Sequence, residues 1–174
     1  MSGKLKVAFF DLAGCNGCLL SMLNRAEFYE VLGLIEIADF RLVRAERVEG
    51  PYDAAFVEGY PGSQEEIELL KQIREQAKIL VALGSCACTG NLQAIRNFQG
   101  LEEAKNYVYH GRLKLDVAEV QPLDAYVPVD IYLPGCPANG DEAVYTIKCL
   151  AIGKTPELVT HAVCVECKIR DTEC

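Results

Sequence analysis

The chain has 174 residues, 51% of them hydrophobic, nine cysteines and a formal charge of −8. That length suits one domain with its own core, and that hydrophobicity excludes a disordered chain. The acidic balance excludes a nucleic-acid surface, which needs a basic stripe, and fits a protein that docks other proteins.

Lys6–Phe10 reads as a first strand. Cys18–Leu32 has apolar residues at helical spacing (Leu19, Leu20, Leu23, Phe28, Val31), with Gly33 as the stop. Ile35–Val43 and Tyr52–Val57 read as the next two strands, the latter ending in Glu58-Gly59. Ser63 with Glu66 three residues on is a capping box for a helix through about Ala77. Lys78–Leu83 is a nearly all-apolar strand, buried on both faces. Residues 97–128 are irregular, with Pro122 and Pro128, and read as an excursion over the sheet edge. Asp130–Leu133 is a fifth strand, and a helix follows from Gly140 to Ile152. Strands alternating with helices predict an α/β fold, a doubly wound and mainly parallel sheet. Residues 1–153 form that domain, and 154–174 a cysteine-containing tail with little core pattern.

The N-terminal apolar run is short and interrupted by Asp11, so it does not read as a signal peptide. No stretch approaches the roughly 18 apolar residues of a membrane span. The cytoplasm is the expected compartment, and there the cysteines are metal ligands, catalytic groups or small buried hydrophobes rather than disulfides.

Four cysteines share one topological position. Cys15 and Cys18 follow the first strand in "GCNGC", Cys86 follows the fourth in "LGSCACTG", and Cys136 follows the fifth in "LPGCPANG". The carboxyl ends of parallel strands lie on one sheet edge, where ligands bind, so the four are predicted to converge. Four thiolates suit a structural zinc or a four-iron cluster. One close pair plus two distant singles, each beside glycine (Gly14, Gly17, Gly84, Gly90, Gly135), favours the cluster: glycine lets backbone pass a bulky core and frees N–H groups for its sulfurs. A redox dithiol would use Cys15 and Cys18 but leave Cys86 and Cys136 idle. No phosphate loop or dinucleotide fingerprint follows a strand, so a flavin or NAD would bind another subunit.

The ordered motifs "GCNGC…EGYPGS…GSCACTG…QPLDAYVPVDIYLPGCPANGDE" resemble the small subunit of a [NiFe] hydrogenase. The resemblance is to the short cytoplasmic type of NAD-linked, electron-bifurcating or heterodisulfide-reductase-linked complexes. It implies a flavodoxin-like domain holding the proximal [4Fe–4S] cluster through Cys15, Cys18, Cys86 and Cys136. It implies an electron-relay function, with the NiFe centre in a large partner subunit and further iron–sulfur or flavin subunits downstream. The complex I small iron–sulfur subunit is similar in G-S-C-A and P-G-C-P, but its first motif has adjacent cysteines where Asn16 and Gly17 intervene here. It stands as the alternative, as does the small subunit of a membrane-complex hydrogenase.

One departure from the family pattern matters. A Glu that commonly precedes the first ligand in membrane-bound uptake enzymes is Gly14 here. Glu58 matches a family acidic position near the interface, implying proton transfer or placement of the large subunit, with a solvated strand-end carboxylate as the competing reading. The chain also ends in "CVECKIRDTEC". Cys164, Cys167 and Cys174 are candidates for a second metal or iron–sulfur site, and a tail without metal is the other reading. Cys88 and Cys149 read as packed residues, and His110 and His161 as structural. Thr89 is expected to hydrogen-bond near the cluster, and Asp141 and Glu142 to complement a helix N-terminus.

Overall fold

In the computed structural model, which describes residues 3–110, 112 and 116–173, five strands form one parallel sheet: β1 (Leu5–Asp11), β2 (Ile35–Phe40), β3 (Tyr52–Glu58), β4 (Ala77–Leu83) and β5 (Ile131–Leu133). Their order is β2-β1-β3-β4-β5, the flavodoxin-like arrangement in which the chain starts near the centre and reverses direction of growth. The central strands are apolar without alternation because both faces are covered. Val7, Phe9, Ala54, Phe56, Val81 and Leu83 point to one face and pack with α1 (Gly17–Leu23), α2 (Ala26–Val31) and α6 (Gly140–Ala151). Ala55, Val57, Leu80 and Ala82 point to the other, under Leu70 and Ile73 of α3 (Gln64–Gln76) and under Leu123 and Val127. Phe9 stands between Phe40 and Phe56, with ring centroids 4.5 and 5.2 Å away.

The capping box forms in altered shape. Glu66 N donates to Ser63 Oγ, but the Glu66 carboxylate reaches back one residue further, to Gly62 N at 2.7 Å. The helix expected over 18–32 is two. Arg25 is extended between them, and its Nε lies 3.3 Å from Asp141. Gly140 sits so close to the end of α1 that a Cβ there would fall 2.5 Å from Ser21 O. The break lets two short helices each lean on α6 instead of one long helix leaning once.

β2 stops at Phe40, where Val43 N and Arg44 N both fold back onto Phe40 O. The link to β3 carries no helix among its residues 41–51. The stretch expected as irregular, 97–128, opens on the end of a 3-10 segment over Asn91–Phe98 and contains the helix α5 (Leu101–Tyr109), neither with a buried residue. The tail carries α7 (Val163–Ile169), and Leu158 ahead of it packs against the main core. Among the described residues no helix is long and apolar enough to cross a membrane.

Candidate metal centre

Strand-end loops deliver the four cysteines, and each loop is tied to another. After β1 the chain crosses to the β3 loop: Leu12 N donates to Glu58 O, and Ala13 and Tyr60 exchange backbone bonds. Cys15 follows, and Asn16 at φ 61° turns the chain into α1, which carries Cys18. After β4, Gly84 at φ 88° turns into α4 (Ser85–Thr89), which carries Cys86. After β5, Gly135 precedes Cys136. This loop is stitched to the β4 loop by Gly84 N to Leu133 O, Ser85 N to Gly135 O, and Gly135 N to Ser85 Oγ. Ala138 N closes the ring by donating to Cys18 Sγ at 3.4 Å.

The thiols share one electrostatic neighbourhood. Burial pushes the Cys18 thiol up to about 12, partly opposed by the Ala138 N–H and reinforced by Glu58, Cys86 and Cys15. Burial also raises Cys86; the Asn91 amide opposes it, and Cys136, Cys15 and Glu58 reinforce it. Cys18 is buried, Cys86 half-buried, and Cys15 and Cys136 are exposed. Thiols that raise one another in this way are stabilised as thiolates by a shared cationic core. The backbone passes close to two of the sulfurs. A Cβ on Gly84 would lie 2.3 Å from Cys18 Sγ, and one on Gly17 3.2 Å from Cys15 Sγ. This donor set, with a backbone N–H on sulfur, fits an iron–sulfur group. Among the described residues no three His, Cys, Asp or Glu side chains surround one point as ligands of a single ion would.

Glu58 is not solvated. It is 2% exposed, and its two carboxylate oxygens accept from Cys18 N at 3.2 Å and Leu19 N at 2.8 Å. It caps the N-terminus of the helix that carries a cysteine of the site, which rules out the solvated reading. The Thr89 hydroxyl donates to Ser85 O within α4, beside Cys86 rather than on its sulfur. Cys88 sits on that helix with its thiol on Ala82 O, packed against the α3-side core and pushed up to about 11 by burial. Cys149 is buried. His110 ends α5 at φ 51°, and His161 lies 3.7 Å from Glu166. Asp141 and Glu142 stand in the first turn of α6, as expected. Cys164 and Cys167 lie on α7, exposed and half-buried, and Cys174 lies outside the described residues.

Sequence reading missed four neighbours of the site: the Ala138 amide, the Ser85 hydroxyl, and the side chains of Asn91 and Gln93 beside Cys86. Only Asn91 carried a signal, since Gly-Asn is a left-handed turn pair.

The family described as NADH ubiquinone oxidoreductase, 20 Kd subunit, matches residues 15–150. Sulfhydrogenase 2 subunit delta of Pyrococcus furiosus is 32% identical, over 98% of this chain and 72% of that protein. The delta subunit of the NAD-reducing hydrogenase HoxS of Cupriavidus necator is 32% identical, over 90% and 83%. A subunit of the F420-non-reducing hydrogenase vhu of Methanocaldococcus jannaschii is 34% identical over 94% of this chain, which spans 62% of that longer protein. A chain in the crystal structure of NAD+-reducing [NiFe]-hydrogenase in the H2-reduced state superposes with a TM-score of 0.82 at 28% identity, over 91% of this chain and 97% of that one. The chain therefore belongs to the NADH ubiquinone oxidoreductase 20 kDa subunit family, among its hydrogenase members.

Proposed function

We propose that this chain is the electron-transfer small subunit of a cytoplasmic [NiFe] hydrogenase, with Cys15, Cys18, Cys86 and Cys136 as ligands of one [4Fe–4S] cluster. The observation that carries the reading is the gathering of these four cysteines on one sheet edge by three strand-end loops bonded to one another. Such a group supplies one-electron transfer when bound. The chain's own residues do the rest. The four thiolates supply the anchoring charge, Ala138 N–H orients the Cys18 sulfur, and Glu58 fixes the first turn of α1. The buried side at Cys18 excludes water, while Cys15 and Cys136 leave the other side open.

An open side calls for a covering subunit. The 3-10 segment that follows α4 presents Leu92, Ile95 and Phe98, the last 90% exposed, as apolar surface for a partner. We assign that partner role to the large subunit with the NiFe centre, with iron–sulfur or flavin subunits downstream. The cytoplasm is the compartment we assign, where cysteines stay reduced and free to bind metal. Residues 154–174 act as a tail on the 1–153 domain, and Cys164 and Cys167, with Cys174, are a second candidate site.

Anaerobic co-purification of the complex, with iron, nickel and sulfide quantitation and EPR of the reduced form, tests this. About four irons on this chain are expected for one [4Fe–4S] group, and clearly more would support the C-terminal site. Zinc with no labile sulfide would overturn the reading, and quinone reduction without hydrogenase activity would favour the complex I-type alternative.

A further inference from the structure

Cys86 differs from Cys18 in what faces its sulfur. Cys18 Sγ receives a backbone N–H. Cys86 Sγ is met by two side-chain amides: Asn91 Nδ2 donates to it at 3.8 Å, and the thiol donates to Gln93 Oε1 at 3.5 Å. A ligating thiolate has no proton to give, and the Gln93 amide then offers its Nε2–H by turning about its last bond.

The placement is built into the backbone. Gly90 at φ 76° and Asn91 at φ 52° are two consecutive left-handed residues, and they reverse the chain at the end of α4. That reversal brings the Asn91 amide back beside Cys86. Gly90 is wedged against Val120, where a Cβ would fall 3.2 Å from Cγ1. The segment beyond is clamped to the same stretch: Asn97 donates to Val120 O at 2.7 Å and accepts from Val120 N at 3.0 Å. Arg96 donates to Ala118 O. Asn91 is thus fixed from both sides rather than resting on the site by chance.

We propose that Asn91 is a positioning residue of the redox site, holding an N–H donor on the Cys86 sulfur that raises the reduction potential of the group Cys86 ligates. The reduced group carries one more electron, shared with its sulfurs, so an N–H on sulfur stabilises the reduced state more than the oxidised one. This rests on ligation by Cys86, as proposed above.

The test compares the anaerobically purified complex with its Asn91→Gly and Asn91→Asp variants. Both residues tolerate the left-handed backbone, so neither adds strain. Glycine removes the donor, and aspartate puts a negative acceptor in its place. An EPR-monitored redox titration reads the potential, and iron and sulfide per chain are counted in the same samples. The potential is expected to fall in Asn91→Gly by about tenfold in the reduced-to-oxidised ratio, about 59 mV for one electron, and further in Asn91→Asp. A purely structural Asn91 would change melting temperature and leave the potential in place. Full iron content with an unmoved potential in both variants overturns the proposal. Iron content and melting temperature identify a variant that misfolds, and the other then decides. A wild-type complex with no iron or sulfide on this chain instead overturns the ligation itself, and the proposal with it.

Discussion

Glu58 is the residue whose removal most directly tests how the site is held. Its buried carboxylate accepts from Cys18 N and Leu19 N, two of the amides that α1 leaves without partners inside the helix. Each hydrogen bond to a charged acceptor is worth about 1.5–3 kcal/mol, with a further contribution from negative charge at the helix N-terminus. Glu58→Gln keeps one acceptor and sets an NH2 against the other amide. It is expected to cost about 2 kcal/mol, which in a chain of this size lowers the melting temperature by roughly 4–8 °C. Glu58→Ala loses both acceptors and leaves a cavity, for about 3–5 kcal/mol. Thermal unfolding of the full chain measures these costs, and iron per chain follows the consequence for Cys18. The charge has a second effect of its own. Glu58 is among the groups that raise the Cys18 thiol, so Glu58→Gln is expected to move the reduction potential upward, opposite to the Asn91 variants. A Glu58→Gln protein within about 0.5 kcal/mol of wild type, with unchanged iron, would refute the capping role.

At Gly84 the backbone itself is the constraint. Gly84→Ala puts a methyl 2.3 Å from Cys18 Sγ at φ 88°, and should cost about 1–3 kcal/mol and lower iron content, read by unfolding and iron assay; wild-type values in both would show that the loops are not closely packed. Asp130 links β5 to α3 and β4. Burial pushes its carboxyl up, but the Leu80 N–H and Arg74 outweigh burial and hold it below the usual range. A depressed carboxyl stabilises the fold above its unfolded pKa of about 3.9, and that contribution is lost as pH falls through the folded value. Asp130→Asn should therefore flatten the acid limb of urea midpoints measured from neutral to strongly acid pH, and an unchanged limb would dismiss the pairing. Removing metal by chelation should leave far-UV circular dichroism nearly unchanged, because the loops are bonded to one another; collapse to an unfolded spectrum would show that the metal holds the fold.

The sheet and the placement of the cysteines at its strand ends were legible because they rest on repeating physics. Apolar runs such as Val7–Phe10 and Ile79–Leu83, alternating with helices, are the pattern of strands buried on both faces of a parallel sheet, and a parallel sheet sends all strand ends to one edge. What stayed hidden depended on contacts between distant residues. The split at Arg25 follows from Gly140 pressing on Ser21, and no local pattern reports that approach. α5 was missed because it lies in a stretch read as irregular on Pro122 and Pro128, and none of its residues is buried in the core. Cys88 was legible as a packed residue beside Cys86, and the structure packs it against the α3-side core. On the helix of α4 the two point apart, one to the site and one to Ala82 O. Glu58 was seen at the right place with two readings open, and only the fold, which starts α1 directly over it, removes the solvated one.

Protein-to-protein bonds tie the loops of the site to one another. Glu58 holds the start of α1, the Ser85 hydroxyl and amide hold the Cys136 loop, Ala138 reaches Cys18, and Ala13 and Tyr60 tie the Cys15 loop to β3. A small metal-folded domain works the other way, with ligands brought together only by the ion and binding energy spent on folding. Here the sheet edge has already borne the entropic cost of ordering the loops. The same preorganisation fixes the groups around each sulfur: a carboxylate and a backbone N–H near Cys18, side-chain amides near Cys86. Charges and dipoles held this rigidly act on whatever the thiolates bind without reorganising when an electron arrives, which is what a one-electron relay requires of its protein.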